Sequence, residues 1–248
     1  MNLRKNTILI TGGATGIGFA LAKAFIDAGN HVIICGRRKS KLTEVKDLLS
    51  DVYVKPCDLS TAKGRIELYN WVISNFKKFN VLVNNAGIQR EINFKKGVES
   101  LEGESEVEIN LTAPIHLSAL FIPHLMQRPE SAIINISSGL GFIPLSMVPI
   151  YSATKAAIHS FSISLRHQLR DTKIKVYEII PPTTNTELDK GARDRRGQKD
   201  KGISPEAVAF ETMESLENEV YERPVGSAKS LWHGARTDPE KIFHLINH

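Results

Sequence analysis

The sequence predicts a doubly wound α/β domain, a parallel sheet with helices packed on both faces. Three observations carry this. Short, continuous apolar runs recur along the chain, as expected of strands buried on both sides. Segments of helical length alternate with them, so the connections are crossovers and not hairpins. A glycine-rich turn, Gly12 to Gly18, stands between the first run and the first helix.

Thr7-Ile8-Leu9-Ile10 is the first strand, and the helix after the turn covers about 16–28, stopped by Gly29. Residues 31–35 form a second apolar strand, followed by a polar helix over 39–49. The third strand spans 52–55 and the third helix 61–76. Val81-Leu82-Val83 is strand four and runs into Asn84-Asn85-Ala86-Gly87. A charged connection leads to a helix over about 105–126, expected to bend where Pro114 and Pro123 remove backbone donors. Residues 132–137 are strand five, 150–169 a long helix and 174–180 strand six. No boundary is marked before Pro181, and residues 1–248 read as one domain. Residues 183–202 are polar, charged and glycine-containing, the composition of a mobile flap over the sheet edge. Ser204-Pro205-Glu206 starts a helix, with one short strand near 223–226 and a terminal helix after Pro239.

The chain is long enough for one well-buried core, and 42% apolar with 24% charged residues is an ordinary globular composition. Its two cysteines, Cys35 and Cys57, lack metal-type spacing and read as buried residues of a cytoplasmic protein; no metal site is expected. The net charge of +5 is concentrated in Arg37-Arg38-Lys39 with Lys41 and in 190–201, separated by an acidic patch at 99–108. That mixture argues for a small anionic ligand and against nucleic acid, which selects a continuous basic stripe with stacking aromatics. Two segments imitate membrane signals. Arg4-Lys5, an apolar run and Ala20-Leu21-Ala22 resemble a leader, but the glycines and the amphipathic helix that follow make it strand, turn and helix. Residues 131–154 are uncharged, but Asn135, Ser137, Ser138, Pro144 and Pro149 would be costly in lipid.

Tyr151 and Lys155, four apart on a helix, share a face. A free phenol, pKa near ~10, is a poor base at neutral pH. An ammonium about 4 Å away, at an effective dielectric near 20, stabilises the phenolate by roughly 4 kcal/mol. That lowers the pKa by up to roughly three units, toward the range useful for acid/base work. The spacing alone is common. Ser138, 13 residues upstream, adds a hydroxyl near the strand end, with Ser137 as the competing candidate. In Thr11-Gly12-Gly13-Ala14-Thr15-Gly16-Ile17-Gly18, Gly12 permits the tight turn while Gly16 and Gly18 allow close approach of a dinucleotide. After strand two stands Gly36-Arg37-Arg38, with no acid for a ribose 2′-hydroxyl and two guanidinium groups suited to a 2′-phosphate.

The T-G-x-x-x-G-I-G turn, Asn84-Asn85-Ala86-Gly87, Asn110, Ser138 and the Tyr151/Lys155 pair, in this order, resemble the short-chain dehydrogenase/reductase family over about residues 6–186. Asn84 to Gln89, Phe121 to Met126 and Ser164 to Asp171 are similar, more narrowly, to the bacterial DltE-type oxidoreductases. The resemblance implies a Rossmann-type sheet and roles for matched positions. Tyr151 would exchange the proton with a carbonyl or alcohol oxygen. Lys155 would lower its pKa and bind the nicotinamide ribose, Ser138 would hold the substrate oxygen, and Asn110 would support a water-mediated proton path. Gly12, Thr15, Gly16, Ile17, Gly18, Arg37, Arg38, Asp58, Leu59, Asn84, Ala86, Gly87, Pro181, Thr184 and Thr186 would join Tyr151 and Lys155 around the cofactor, with Asp58 at the adenine. Pro182 departs from the family's usual glycine and removes a backbone donor at the nicotinamide end.

The sequence thus reads as a cytoplasmic oxidoreductase using NADP(H) in preference to NAD(H). It would act on a small carbonyl or secondary alcohol of apolar character and assemble as a homo-dimer or tetramer. Phe142, Ile143, Pro144, Leu145, Met147 and Val148 are expected to line the substrate pocket. A nucleotide-sensing protein without turnover, and dehydratase or epimerase chemistry on the same scaffold, are the alternatives.

Overall fold

The computed structural model describes residues 1–188, 190–195, 197 and 202–247; Asp189, Arg196 and 198–201 of the expected flap lie outside these. The strands are β1 (Thr7–Thr11), β2 (His31–Gly36), β3 (Val52–Pro56), β4 (Val81–Asn84), β5 (Ser131–Ile136), β6 (Ile174–Ile180) and β7 (Glu222–Pro224). They form one sheet of order β3-β2-β1-β4-β5-β6-β7 with every pairing parallel. The helices are α1 (Gly16–Asp27), α2 (Lys39–Leu48), α3 (Ala62–Asn75), α4 (Ala113–Leu125), α5 (Pro149–Gln168), α6 (Lys190–Arg195), α7 (Pro205–Glu217), α8 (Ala228–Thr237) and α9 (Pro239–Asn247).

Period-two alternation sends successive strand residues to opposite faces. Ile8 and Ile10 pack with Leu21 and Phe25 of α1, Leu42 and Val45 of α2, and Val208 and Leu216 of α7. Leu9, between them, packs with Leu68 and Val72 of α3, Leu117 and Phe121 of α4, and Leu165 of α5. Both faces are therefore dry, which is why the strands read as unbroken apolar runs. Each such side chain contributes about 1.5–3 kcal/mol when fully buried. Strand order reverses between β1 and β4, and the two crossovers leaving in opposite directions open a crevice at the carboxyl ends of these strands.

Three segments differ from expectation. The helix predicted over 105–126 contains a π-helical turn, Glu108–Thr112, in which the Ala113 N–H donates to Glu108 O, five residues back. Pro114 explains it: in a regular helix its ring would clash with the Asn110 carbonyl, and the wider turn relieves this. The charged connection contains a 3₁₀ segment, Phe94–Leu101. After β7 the chain forms two helices where one was expected. The second, α9, is clasped to the segment before α5: the Asn247 amide donates to Pro144 O at 3.1 Å and accepts from Ser146 N at 2.6 Å. The described part of the expected flap is fastened at its base, where Asn185 N donates to Ile203 O at 2.8 Å. No described helix is long and apolar enough to cross a membrane.

Candidate active site

A cleft of about 910 Å³ opens along the carboxyl ends of the strands. Its floor begins with the turn between β1 and α1. Gly12 and Gly16 have φ of +64° and +54°, a region that favours glycine. A Cβ at Gly12 would lie 2.9 Å from Ala86 Cα, and one at Gly16 2.8 Å from Thr186 Cγ2. The turn is thus a bare backbone cradle at a helix N-terminus, suited to a pyrophosphate. Thr11 Oγ1 accepts from the Asn85 and Ala86 N–H groups at 2.9 and 3.0 Å, which ties the end of β4 to the turn.

Tyr151 lies in the first turn of α5, which Pro149 starts, and is 6% exposed. Lys155 follows one turn later, 5% exposed, with its ammonium 5.6 Å from the Tyr151 ring centroid. Its Nζ donates to Ile136 O, at the end of β5, at 2.8 Å. Burial lowers the Lys155 pKa to about 8, and the charge of Glu178 opposes that fall. Ser138 follows β5, where its Oγ accepts from Leu140 N at 3.2 Å and starts a short 3₁₀ turn, Gly139–Gly141. Ser137 turns back onto β6, donating to Ile179 O at 3.4 Å. Asn110 sits in the π-helical turn: its Oδ1 accepts from Ile88 N at 2.9 Å, and its Nδ2 donates to Ile88 O at 2.8 Å. Gly87 separates it from Lys155: a Cβ there would lie 3.4 Å from Asn110 Oδ1 and 3.8 Å from Lys155 Nζ. Ser138, Tyr151 and Lys155 therefore line the same cleft, as does Ser137, with Asn110 behind Gly87.

At the far end lie Arg37, Arg38, Asp58 and Leu59. Asp58 accepts from the Ser60 N–H at 3.0 Å and its hydroxyl at 2.8 Å, and these bonds hold its pKa below the usual carboxylate value. Both arginines are paired: Arg37 with Glu104, and Arg38 with Glu187 at 2.8 Å. Sequence reading saw no acid here because these carboxylates lie 67 and 149 residues from their partners. The pairs are more than 40% exposed on every side chain, so each is worth at most about 1 kcal/mol.

The family model for short chain dehydrogenases matches residues 6–197. The chain belongs to that family. It is 47% identical over 249 residues to the uncharacterized oxidoreductase DltE of Bacillus subtilis, covering 100% of this chain and 98% of that one. It is 30% identical to the NADP-dependent 3-hydroxy acid dehydrogenase YdfG of Escherichia coli K12, over 82% of this chain and 85% of that one. Among solved structures, a short chain dehydrogenase/reductase from Burkholderia phymatum in complex with NAD superposes with a TM-score of 0.86 at 19% identity, covering 100% and 97% of the two chains. The closed form of a serine dehydrogenase complexed with NADP+ superposes with a TM-score of 0.77 at 27% identity, over 85% and 88%. As a short-chain dehydrogenase, the protein is an oxidoreductase of CH–OH and C=O groups, and its cradle fits the nicotinamide dinucleotides that these neighbours hold.

The dehydrogenase cleft brings together most of the residues singled out from sequence: Gly12, Thr15, Gly16, Ile17, Arg37, Arg38, Asp58, Leu59, Ala86, Gly87, Ser138, Tyr151, Lys155, Pro181, Thr184 and Thr186. Three stand behind its wall. A Cβ at Gly18 would lie 2.3 Å from Gly12 O, so this glycine packs α1 onto its own turn instead of approaching a ligand. Asn84 is buried and donates to Asn135 Oδ1 at 2.8 Å, within the sheet. Asn110 is the third, as described. The apolar wall also departs from expectation. Of the six residues expected to line it, only Leu145 does; Ile143 and Val148 are core, and Phe142 packs at a tilt against the His159 ring. Leu140 is joined instead by Leu231 of α8 and by Ile242, Leu245 and Ile246 of α9. The i, i+3, i+4 spacing of these last three was the available signal, but a terminal helix carries no cue to what it covers.

Proposed function

We propose that the protein is an NADP(H)-dependent oxidoreductase that interconverts a small carbonyl compound and a secondary alcohol, with Tyr151 as general acid/base. The observation that carries this reading is the Lys155 ammonium, buried beside the Tyr151 ring and fixed to the end of β5. Gly12, Thr15, Gly16 and Ile17 would hold the pyrophosphate, Asp58 and Leu59 the adenine end, and Ala86, Gly87, Pro181, Thr184 and Thr186 the nicotinamide half. The nicotinamide, when bound, supplies or accepts hydride. Ser138 would donate to the substrate oxygen, stabilising its developing charge. Tyr151 would deliver the proton to that oxygen during reduction and remove it during oxidation. Lys155 would favour the phenolate by its charge, and Asn110 would carry the proton path behind Gly87.

Arg37 and Arg38 support NADP(H), since guanidinium groups match a 2′-phosphate in shape and charge. Two relatives are named a 3-hydroxy acid dehydrogenase and a serine dehydrogenase, so 3-hydroxy acids and serine are the first alcohols to try. The free thiols of Cys35 and Cys57 support a reducing, cytoplasmic setting, and the exposed Ile115, Ile163 and Phe210 support assembly with further copies. The test is NADPH absorbance across a carbonyl and alcohol panel with Tyr151→Phe as the paired variant. Turnover lost by at least about 10²-fold, with NADPH affinity kept, is expected. Retained turnover would refute the proton donor, and binding without any turnover would favour a nucleotide sensor.

A further inference from the structure

Behind the proposed acid/base pair lies a set of charges that the reaction does not use. His159 stands one turn beyond Lys155 on α5, as Lys155 stands one turn beyond Tyr151. Its Nδ1 donates to Glu178 Oε2 of β6 at 2.8 Å. Glu178 is completely buried and its second oxygen, Oε1, has no hydrogen-bond partner. Glu222 of β7 completes the group, with one donor atom from each of the three residues within 4.8 Å of the others. The spacing would suit a metal ion, but Glu222 already accepts from the Trp232 indole N–H and from Arg236 at 3.3 Å. The positive charge that balances Glu222 is thus a side chain of α8. Glu178 is paired with His159, whose charge depends on pH.

A buried carboxylate is costly unless its charge is put to use or neutralised. Lys155 Nζ is fixed at Ile136 O, and Ile136 is the register partner of Ile179, the residue after Glu178. Glu178 pairs with Asn135 of β5, whose amide reaches Ser162 of α5, so the carboxylate and the ammonium lie in the same layer between α5 and strands β5 and β6, where charges are poorly screened. We infer that Glu178, oriented by His159, is a positioning residue: a buried counter-charge that keeps Lys155 cationic. The inference rests on the reading of Lys155 as the ammonium that serves Tyr151.

Among the described residues, the other titratable or charged groups at this space are Tyr151 beside Lys155, and Glu222 and Arg236, which offset each other beside His159. The hydrogen bond to Glu178 raises the His159 pKa. At low pH the imidazolium offsets Glu178, and Lys155 has no difficulty keeping its proton. Once His159 discharges, Glu178 acts on Lys155, which titrates at about 8, with its full charge.

Two readouts test this: the pH profile of kcat/KM, and the titration of Lys155 followed by NMR of ¹³C-labelled lysine. In Glu178→Gln both the alkaline limb and the Lys155 titration should move down by roughly one pH unit, with activity near pH 6 kept within about threefold. In Glu178→Asp, which keeps the charge, both should stay near their native positions. An unmoved Lys155 titration in Glu178→Gln would overturn the inference, as would an equal shift in Glu178→Asp, which would mean packing alone. If Lys155 titrates lower while the rate profile does not move, the counter-charge stands and the catalytic reading of Lys155 fails. Should Glu178→Gln not fold, His159→Gln decides: Lys155 must then titrate no lower than in the native protein, and a fall would sink the idea.

Discussion

Lys155 shows what a buried cation costs. Its pKa of about 8, depressed chiefly by burial, means that between this value and the ordinary lysine pKa the unfolded chain binds more protons than the folded one. Stability therefore rises with pH across that window. Lys155→Met removes the buried charge and should raise the unfolding free energy at pH 7 by about 1–3 kcal/mol, erase the alkaline rise and abolish turnover. Urea unfolding at pH 7 and pH 10 measures the first two. At this scale the sequence was legible where chemistry sits in consecutive residues: Tyr151, Lys155 and Arg37-Arg38 all reach the cleft. It was illegible where partners come from afar. Glu104, Glu187 and Glu178 meet their cations only through the fold, and no local spacing announces them.

Among the elements, α9 and the π-helical turn carry most of what sequence reading missed. The apolar stripe of α9 lines the cleft with Leu140 and Leu145, and the Asn247 clasp holds that helix to the segment leading into α5. Asn247→Ala should therefore raise KM severalfold for apolar carbonyl substrates while leaving the NADPH dissociation constant unchanged; a matching loss in both would place the defect elsewhere. Strand existence was readable best where the run is buried on both faces, as in β1, β4 and β5. The distortion at Glu108–Thr112 was placed near Pro114, but its form was not readable, because a proline removes a donor without dictating how the preceding turn relaxes. The 3₁₀ segment in the charged connection lacked any periodic signal, since none of its residues is buried.

For the molecule as a whole, the parallel sheet and the position of its crevice followed from alternating elements and one glycine turn. Strand order did not: apolar runs state that strands pair, but not with whom. Ligand binding offers a measurement at this scale, because a ligand held only by the folded state stabilises it by about 2.7 kcal/mol at a hundredfold excess over its dissociation constant. NADPH should raise the melting temperature of the native protein. Arg37→Ala with Arg38→Ala should lose most of that rise and keep any rise given by NADH. Glu104→Gln with Glu187→Gln should increase it for NADPH, by freeing both guanidinium groups and removing repulsion of a phosphate; equal changes for the two cofactors would assign these charges another role.

The two carboxylates that meet Arg37 and Arg38 also bear on how such a protein evolves. They lie far in sequence from the Gly12–Gly18 turn and from Tyr151, and both carboxylate side chains are about half exposed. Substitution there can retune the charge at the ribose end without disturbing the core. Under the proposed reading, cofactor choice and chemistry are inherited as separate modules, and a lineage can drift between the two dinucleotides through surface loops alone.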